Sequence, residues 1–254
     1  MLPIRILLLA TALAASSSAR LVNLRARQAG SGAVVLTECV TPGHAALTYD
    51  DGPSDNLAHL LQVLHDNNAP ATFFMNGNNY KCIYNSTSVA DMHQALAANH
   101  QIQSHSWEHL NLTELTGQAL QDQFSRFNTA LNKTCGVTPT FMRPPYGAYN
   151  DETISVASEF GMTLVTWTID TGDSTGESLA TQEQAVDDAP DFSSQPIMLM
   201  HEPDEQTATE LTPYAIASLR KEDYTLVTLS ECLGMPAYTF VGQPQARRFD
   251  WNCR

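Results

Sequence analysis

Basic residues are scarce in this chain of 254 residues. Lysine and arginine number 13 against 27 aspartates and glutamates, so the formal net charge is -14. A surface of that sign repels the phosphates of nucleic acids and the headgroups of anionic lipids. The composition therefore argues against a nucleic-acid partner and against adhesion to an anionic membrane surface.

The chain also lacks an apolar run long enough to cross a membrane. The run Ile6–Ala15 is shorter than the roughly 20 residues that span a bilayer. It follows Arg5 and precedes the small residues Ser16–Ala19, an order typical of a secretory signal peptide. We expect a signal peptide over residues 1–19, with a short propeptide to about residue 27 as an extension of the same segment. The mature protein should then be monomeric, without a membrane anchor, and secreted to the extracellular space or the cell wall.

An even set of cysteines is missing as well, because the chain has 5. Secretion places them in an oxidising compartment where disulfides persist, and an odd count leaves at least one without a partner in the chain. Cys39 precedes the first predicted strand and Cys232 follows the last, so this pair is a candidate disulfide. Asn85, Asn111 and Asn132 begin Asn-x-Ser/Thr triplets and are candidate N-glycosylation sites.

Short apolar runs alternate with helical periodicity along most of the chain. This alternation is typical of parallel βα units. We expect strands at Ala45–Asp50, Ala71–Asn76, Gln101–His105, Thr140–Pro144, Met162–Asp170, Pro196–His201 and Tyr224–Leu229. About seven such units predict an α/β fold, a single irregular (β/α) barrel with parallel strands. An open doubly wound sheet is the competing topology, and it is disfavoured because no Gly-x-Gly-x-x-Gly follows an early strand.

No internal repeat or low-complexity linker divides the chain. We therefore expect one catalytic domain over residues 40–235 and a C-terminal tail over residues 236–254. Ionisable residues end five of the predicted strands, namely Asp50 with Asp51, His105, Arg143, Asp170 and His201. Active sites of barrels lie at the carboxyl ends of the strands, so these side chains should converge on one pocket.

Two histidines, His105 and His109, stand four residues apart just after a predicted strand. Two imidazoles with one carboxylate hold a metal and leave positions open for hydrolytic chemistry. The spacing His-x-x-Glu-His also occurs in inverted-zincin metallopeptidases, where both histidines lie within a helix. Here the motif follows a strand, and Asn111 and Thr113 are typical cap residues of a helix that begins later. The metallopeptidase alternative is therefore disfavoured.

Adjacent carboxylates, Asp50 and Asp51, leave the first predicted strand at a turn. Because consecutive side chains of an extended chain diverge, one carboxylate can bind a metal while the other accepts a proton.

Taken together, the motifs resemble those of the polysaccharide deacetylases of carbohydrate esterase family 4, the NodB-homology fold. The five matching segments are Thr48–Ser54, His105–His109, Arg143–Gly147, Trp167–Asp173 and Leu199–His201. The resemblance runs from about residue 45 to residue 232, and the compact secreted form is most similar to fungal chitin deacetylases.

The resemblance implies a role for each polar residue. Asp51, His105 and His109 would hold a divalent metal, with Zn²⁺ expected and Co²⁺ as an alternative. Asp50 would be the general base and His201 the general acid.

Other positions would support these groups. Arg143 would orient Asp50 and keep it ionised, and Asp170 would orient His201. The backbone N–H of Tyr146 would stabilise the oxyanion together with the metal, and Leu199 would face the acetyl methyl group. Ser174 stands where the family usually has an aromatic residue. Either another aromatic side chain, Trp107 or Tyr149, covers that side of the pocket, or the groove is more open.

The implied reaction is metal-dependent hydrolysis of N-acetyl groups on chitin or chitooligosaccharides, which yields acetate and a chitosan-type product. The same machinery would also suit deacetylation of O-acetyl-xylan or of peptidoglycan. An inactive secreted carbohydrate-binding protein is the alternative from another class. Such a protein would be expected to have lost a metal ligand or the base, and none of these residues is missing.

Overall fold

The computed structural model describes residues 27–28, 34–188 and 194–254. The predicted signal peptide lies outside the described residues, as does all but the last residue of the propeptide. The helices are α1 (Leu57–Asp66), α2 (Ser86–Ala97), α3 (Gly117–Cys135), α4 (Asp151–Glu159), α5 (Leu179–Asp187), α6 (Thr212–Lys221) and α7 (Leu229–Leu233). The strands are β1 (Arg27–Gln28), β2 (Val34–Leu36), β3 (His44–Asp50), β4 (Thr72–Met75), β5 (Gln101–Ser104), β6 (Val137–Pro139), β7 (Phe141–Met142), β8 (Thr163–Val165), β9 (Ile169–Asp170), β10 (Ile197–His201), β11 (Thr225–Val227) and β12 (Tyr238–Val241).

The main sheet has the order β1-β2-β8-β7-β5-β4-β3-β10-β9, with β11 also paired to β3. All its neighbours run parallel except β1, which is antiparallel to β2. The sheet curls into a half-barrel with helices against it. The predicted α/β barrel is therefore confirmed.

One predicted strand, Met162–Asp170, is two strands that lie in different parts of the sheet. β8 pairs with β7 and β2, whereas β9 pairs with β10. The chain between them leaves the sheet, and the carbonyl of Thr166 accepts a hydrogen bond from the buried guanidinium of Arg143 at 3.1 Å. The break thus places a backbone carbonyl beside the polar centre of the fold.

The core forms because apolar residues recur on the inner faces of strands and helices. Every residue of β4 is buried. Helix α1 buries Leu57, Leu60, Leu61 and Leu64, which repeat at helical spacing. Each buried leucine side chain contributes about 1.5–3 kcal/mol relative to exposure. This packing fixes the strand ends from which the polar residues project.

Two disulfides join distant parts of the chain. Cys39 pairs with Cys232, the predicted pair, and Cys82 pairs with Cys253. Cys135 is free and buried.

Residues 236–254, predicted as a tail, pack against the barrel. β12 pairs with β6 in antiparallel fashion. Trp251 is buried, with its ring centroid 5.6 Å from that of Tyr84. The second disulfide holds the same segment near its end. No helix among the described residues is long and apolar enough to cross a membrane.

The three candidate glycosylation sites lie in different settings. Asn85 is exposed and caps α2 through its side-chain oxygen. Asn111 caps a 3-10 turn in the same manner. Asn132 lies inside α3, where the hydroxyl of Thr134 is buried and donates to the carbonyl of Ala130.

Candidate active site

The first motif turns sharply at the end of β3. Asp50 is the last strand residue and is paired in register with His201 of β10. Asp51 has a φ of 72°, in the left-handed region, so the chain changes direction directly after the strand. As a result Oδ1 of Asp50 bonds to Arg143 and Oδ1 of Asp51 faces His109, while the two carboxylates lie 3.7 and 3.5 Å from Nε2 of His105.

Asp51 faces the two histidines of the second motif. Its Oδ1 atom lies 3.2 Å from Nε2 of His109 and 3.5 Å from Nε2 of His105. One ligand atom from each residue lies within 4.8 Å of the others. Oδ1 is buried and has no hydrogen-bond partner among the described residues, although buried polar atoms are usually paired. An orphaned carboxylate oxygen beside two imidazole nitrogens fits a divalent cation such as Zn²⁺.

The surroundings of His105 fix its tautomer and its protonation state. Its Nδ1 atom lies 2.8 Å from the carbonyl oxygen of Arg143, which accepts the Nδ1 proton and leaves the Nε2 lone pair facing Asp51. Burial lowers the pKa of His105 to about 3, so the ring is neutral. Neutral imidazole is the form that binds a metal.

The second motif lies on a loop and not within a helix. β5 ends at Ser104, and both Ser106 and His109 have positive φ angles. The N–H of His109 donates to the hydroxyl of Ser106 at 3.2 Å. This geometry differs from the helix-borne arrangement of the inverted zincins.

Asp50 is paired with Arg143 in the interior. Nη1 of Arg143 donates to Oδ1 of Asp50 at 2.8 Å, and both side chains are almost completely buried. The guanidinium also lies over the ring of Phe74, 4.2 Å from its centroid. Burial raises the pKa of Asp50, while the charge of Arg143 opposes that rise. The pair supplies a fixed carboxylate that can accept a proton.

His201 is held by Asp173. Its Nδ1 atom lies 2.7 Å from Oδ1 of Asp173, and its backbone N–H donates to Oδ2 at 2.7 Å. Burial alone would lower the pKa of His201, but the hydrogen bond and charge of Asp173 outweigh it and raise the pKa to about 9. The imidazole is thus protonated at neutral pH and can donate a proton from Nε2.

The predicted role of Asp170 is wrong, because Asp173 occupies that position. Asp170 pairs in register with Leu199, two residues short of His201. Its exposed carboxylate accepts a hydrogen bond from the N–H of Gly172 at 3.0 Å. Gly172 has a φ of 75°, and the turn there brings Asp173 to the histidine. The sequence feature that could have identified this residue is the Asp-x-x-Asp spacing within the fourth motif, since the second carboxylate, that of Asp173, is the partner of His201.

A cavity of about 510 Å³ lies over these groups. Among the predicted site residues, the cavity is lined by Asp50, Asp51, His105, His109, Tyr146, Asp170, Leu199 and His201. Arg143 lies behind this wall. Sequence reasoning missed Tyr80 and Trp167, which line the cavity too. Tyr80 is 62% exposed, so no periodic pattern marked it.

Neither aromatic residue proposed to cover the side beside Ser174 does so. Trp107 is buried beneath Arg126, whose guanidinium lies 4.4 Å from the ring centroid. Tyr149 packs against a separate apolar cluster. Trp167 lies in the cavity wall instead, together with Ser174 itself. A side chain at Gly147 would meet the Trp167 ring at 2.8 Å, so the glycine allows their close approach.

Tyr146 lies in the 3-10 turn Pro145–Gly147 at the edge of the cavity. Its φ of 61° is unusual for a residue with a side chain and directs the backbone out of regular structure. Its ring lies edge-on to His109 with centroids 4.8 Å apart. The turn therefore places the Tyr146 backbone and ring next to His109 at the edge of the cavity.

Comparisons with known proteins agree with this geometry. A profile of the family described as polysaccharide deacetylase matches residues 37–165. A chitin deacetylase of Pestalotiopsis sp is 34% identical over 233 residues, which are 89% of this chain and 76% of the relative. A peptidoglycan-N-acetylglucosamine deacetylase of Listeria monocytogenes is 35% identical over 191 residues, 74% of this chain but only 38% of that protein.

The structure of the chitin deacetylase from the fungal pathogen Colletotrichum lindemuthianum is also similar. It superposes with a TM-score of 0.79 and 28% sequence identity, and the match covers 82% of this chain and 95% of the other. The similarity thus extends over most of this chain.

Proposed function

The chain belongs to the polysaccharide deacetylase family, and we propose that it hydrolyses N-acetyl groups of chitin or chitooligosaccharides in a metal-dependent reaction. The observation that carries the proposal is the convergence on one cavity of an Asp-His-His cluster, a buried Asp50–Arg143 pair and an Asp173–His201 pair. These are the parts that amide hydrolysis needs: a cation site, a base and an acid.

Asp51, His105 and His109 would hold the divalent cation, with Zn²⁺ the metal that best suits nitrogen and oxygen ligands in this set. When bound, the ion would polarise the acetyl carbonyl and acidify water. The backbone N–H of Tyr146 would add a hydrogen bond to the oxygen on which negative charge develops.

Asp50 and His201 move the protons. Asp50 takes a proton from the attacking water, and Arg143 holds the carboxylate in place. His201 gives a proton to the sugar nitrogen as the C–N bond breaks, because an unprotonated amine is a poor leaving group. The products are acetate and a free amino group on the sugar. Leu199 lies in the wall where the acetyl methyl group would rest.

The charge of the chain favours a neutral polymer. With a net charge of -14, the protein repels the carboxylates of peptidoglycan stems but not the uncharged chitin chain. Tyr80 and Tyr146, 62% and 69% exposed, present aromatic faces at the cavity to which sugar rings can pack. The Asp173–His201 pair also favours an amide substrate over the O-acetyl esters of xylan. An amine must be protonated before it leaves, whereas the alkoxide of an ester leaves more readily.

The complete set of catalytic positions supports an enzyme over a carbohydrate-binding protein without activity. Secretion is part of the same proposal, with residues 1–19 as the signal peptide and Asn85 and Asn111 as glycan acceptors. Two disulfides support this route, because disulfides persist in oxidising compartments.

The test measures acetate release by the secreted protein. The protein is stripped with a chelator, reloaded with Zn²⁺ or Co²⁺, and given chitin oligomers, acetylxylan or peptidoglycan at equal acetyl content. We expect metal-restored release that is fastest on chitin oligomers. Faster acetate release from acetylxylan or peptidoglycan would overturn the assignment of chitin as the substrate. Acetate release that is unchanged by the chelator would overturn the metal dependence.

A further inference from the structure

We propose that Thr207 is a positioning residue for the acid of this site: its hydroxyl fixes the Asp173 carboxylate that holds His201. The inference rests on the proposed function, since it assigns a role within the same reaction. Thr207 lies six residues after His201 in the chain and outside all five motifs.

Each oxygen of the Asp173 carboxylate accepts two hydrogen bonds. Oδ1 accepts hydrogen bonds from Nδ1 of His201 at 2.7 Å and from the N–H of Ser174 at 3.0 Å. Oδ2 accepts from the N–H of His201 at 2.7 Å and from the hydroxyl of Thr207 at 2.7 Å. A carboxylate has about four acceptor positions, so this one is fully used. Apart from His201, Thr207 supplies the one side-chain donor in the set.

The hydroxyl of Thr207 is directed at Asp173 and leaves the carbonyl of the preceding turn to another donor. Thr207 is completely buried and begins the π-helical turn Thr207–Leu211. A helical threonine usually donates to the carbonyl four residues earlier. For Thr207 that carbonyl is on Pro203, which instead accepts a hydrogen bond from Nδ2 of Asn56 at 2.6 Å.

Thr209 in the same turn shows the ordinary behaviour. Its hydroxyl donates to the carbonyl of Glu205 at 2.8 Å, and the residue is exposed. The two threonines of this turn therefore have different hydroxyl partners: Thr209 bonds to the local backbone, and Thr207 bonds to the carboxylate of Asp173. Thr209 is a matched control for any effect of removing a hydroxyl from this turn.

Removal of the Thr207 hydroxyl would leave Oδ2 with one donor in a site that water does not reach. Three donors then hold the carboxylate in place of four, so its orientation about the Cβ–Cγ bond is less firmly fixed, and so is that of the imidazole on Oδ1. Such misplacement lowers the rate of proton donation without changing how the sugar or the metal binds.

The experiment compares Thr207→Val, Thr207→Ser and Thr209→Val in the full secreted chain loaded with Zn²⁺, using chitin oligomers as substrate. Thr207→Val is expected to lower kcat about tenfold, a part of the roughly 10²–10⁴-fold that general acid catalysis contributes, with KM and zinc affinity unchanged. Thr207→Ser should restore kcat, and Thr209→Val should match the parent protein. An unchanged kcat in Thr207→Val overturns the proposal, and Thr207→Ala replaces this variant if it fails to fold.

A double substitution separates positioning from packing. In an Asp173→Ala background the hydroxyl has no carboxylate to hold, so Thr207→Val should cost no further activity. The same tenfold loss in both backgrounds would show that Thr207 acts through packing and would contradict the proposal.

A second readout does not depend on turnover. The Nδ1 proton of His201 should give a downfield imidazole NMR signal in the parent, Thr207→Ser and Thr209→Val proteins and a broadened or shifted signal in Thr207→Val. An identical signal in all four proteins overturns the positioning role. A parent protein that shows the signal but releases no acetate would instead count against the proposed function alone.

Discussion

Nδ1 of His201 lies 2.7 Å from Oδ1 of Asp173, and the backbone N–H of the same histidine donates to the other oxygen of that carboxylate. One residue is thus held at two points by one carboxylate. Since Nδ1 is occupied, Nε2 is the nitrogen that remains for the cavity. This arrangement leaves Nε2 of His201 able to donate a proton in the proposed reaction, from which an expected pH dependence follows.

Replacing Asp173 with Asn should move the alkaline limb of the kcat profile to lower pH. His201 acts in its protonated form, so activity is present below its pKa and is lost as the pH rises through that value, about 9 in the intact site. Without the charge of Asp173, burial dominates and lowers the pKa. We expect a loss of about tenfold or more at a pH of about 8.

The control for this pH profile is Asp170→Asn, since Asp170 bonds to Gly172 and not to His201. Its alkaline limb should stay where it is in the parent protein. A limb that moves in Asp170→Asn and stays fixed in Asp173→Asn would contradict the assignment of the histidine partner.

Asp51→Asn should weaken zinc binding by more than about 100-fold, because the charged oxygen between the two imidazoles is lost. Asp55 lies four residues later and is exposed, with its carboxylate paired to Lys81. Asp55→Asn should therefore bind zinc as the parent does. Competition with a chromogenic chelator measures both affinities, and equal affinities in the two variants would rule out Asp51 as a ligand.

Arg143→Met should destabilise the fold by about 3–5 kcal/mol, because it leaves the buried carboxylate of Asp50 without its partner charge. Adding Asp50→Asn to the same protein should recover much of that loss, since no buried charge then remains. Urea unfolding of the three proteins measures the differences. The exposed pair Lys221–Glu222 is the control, and Lys221→Met should change stability little. Failure of the double variant to recover stability would mean that Arg143 acts mainly through packing.

Glycan mapping after expression in a secretory host should find modification at Asn85 and none at Asn132. Asn85 is exposed at the start of α2, whereas the triplet of Asn132 lies inside α3 with Thr134 buried. Asn85→Gln should remove a glycan-sized mass, and Asn132→Gln should leave the mass pattern unchanged. A glycan on Asn132 would be incompatible with the packing of α3.

The placement of the main site residues could be predicted from the sequence because strand ends are readable in it. An apolar run that stops at a charged residue marks the carboxyl end of a buried strand, and parallel strands bring those ends together. Asp50 and His201 illustrate this, since they pair in register on neighbouring strands. Helix α1 is readable for a similar reason, because its buried leucines recur at helical spacing.

Features that depend on loop conformation could not be predicted in this way. The choice between Asp170 and Asp173 depends on the left-handed turn at Gly172. Trp167 reaches the cavity because the chain leaves the sheet between β8 and β9, which the apolar pattern of Met162–Asp170 does not show. With an odd number of cysteines, the spacing alone did not reveal that Cys253 bonds to Cys82 and binds the last residues to the barrel.

The most direct test of the proposed deacetylation is the rate of acetate release from a chitin oligomer by Asp50→Asn at the same zinc occupancy as the parent protein. Oδ1 of Asp50 bonds to Arg143, and its Oδ2 lies 3.7 Å from Nε2 of His105, while Asp51 lies near both histidines. The substitution therefore removes the proposed base and keeps all three proposed metal ligands. With Asp50 as the base, the parent should release acetate, and Asp50→Asn should lose at least about 10²-fold in kcat while it binds zinc normally. A variant that releases acetate at the parental rate, or a zinc-loaded parent that releases none, would contradict the proposed reaction.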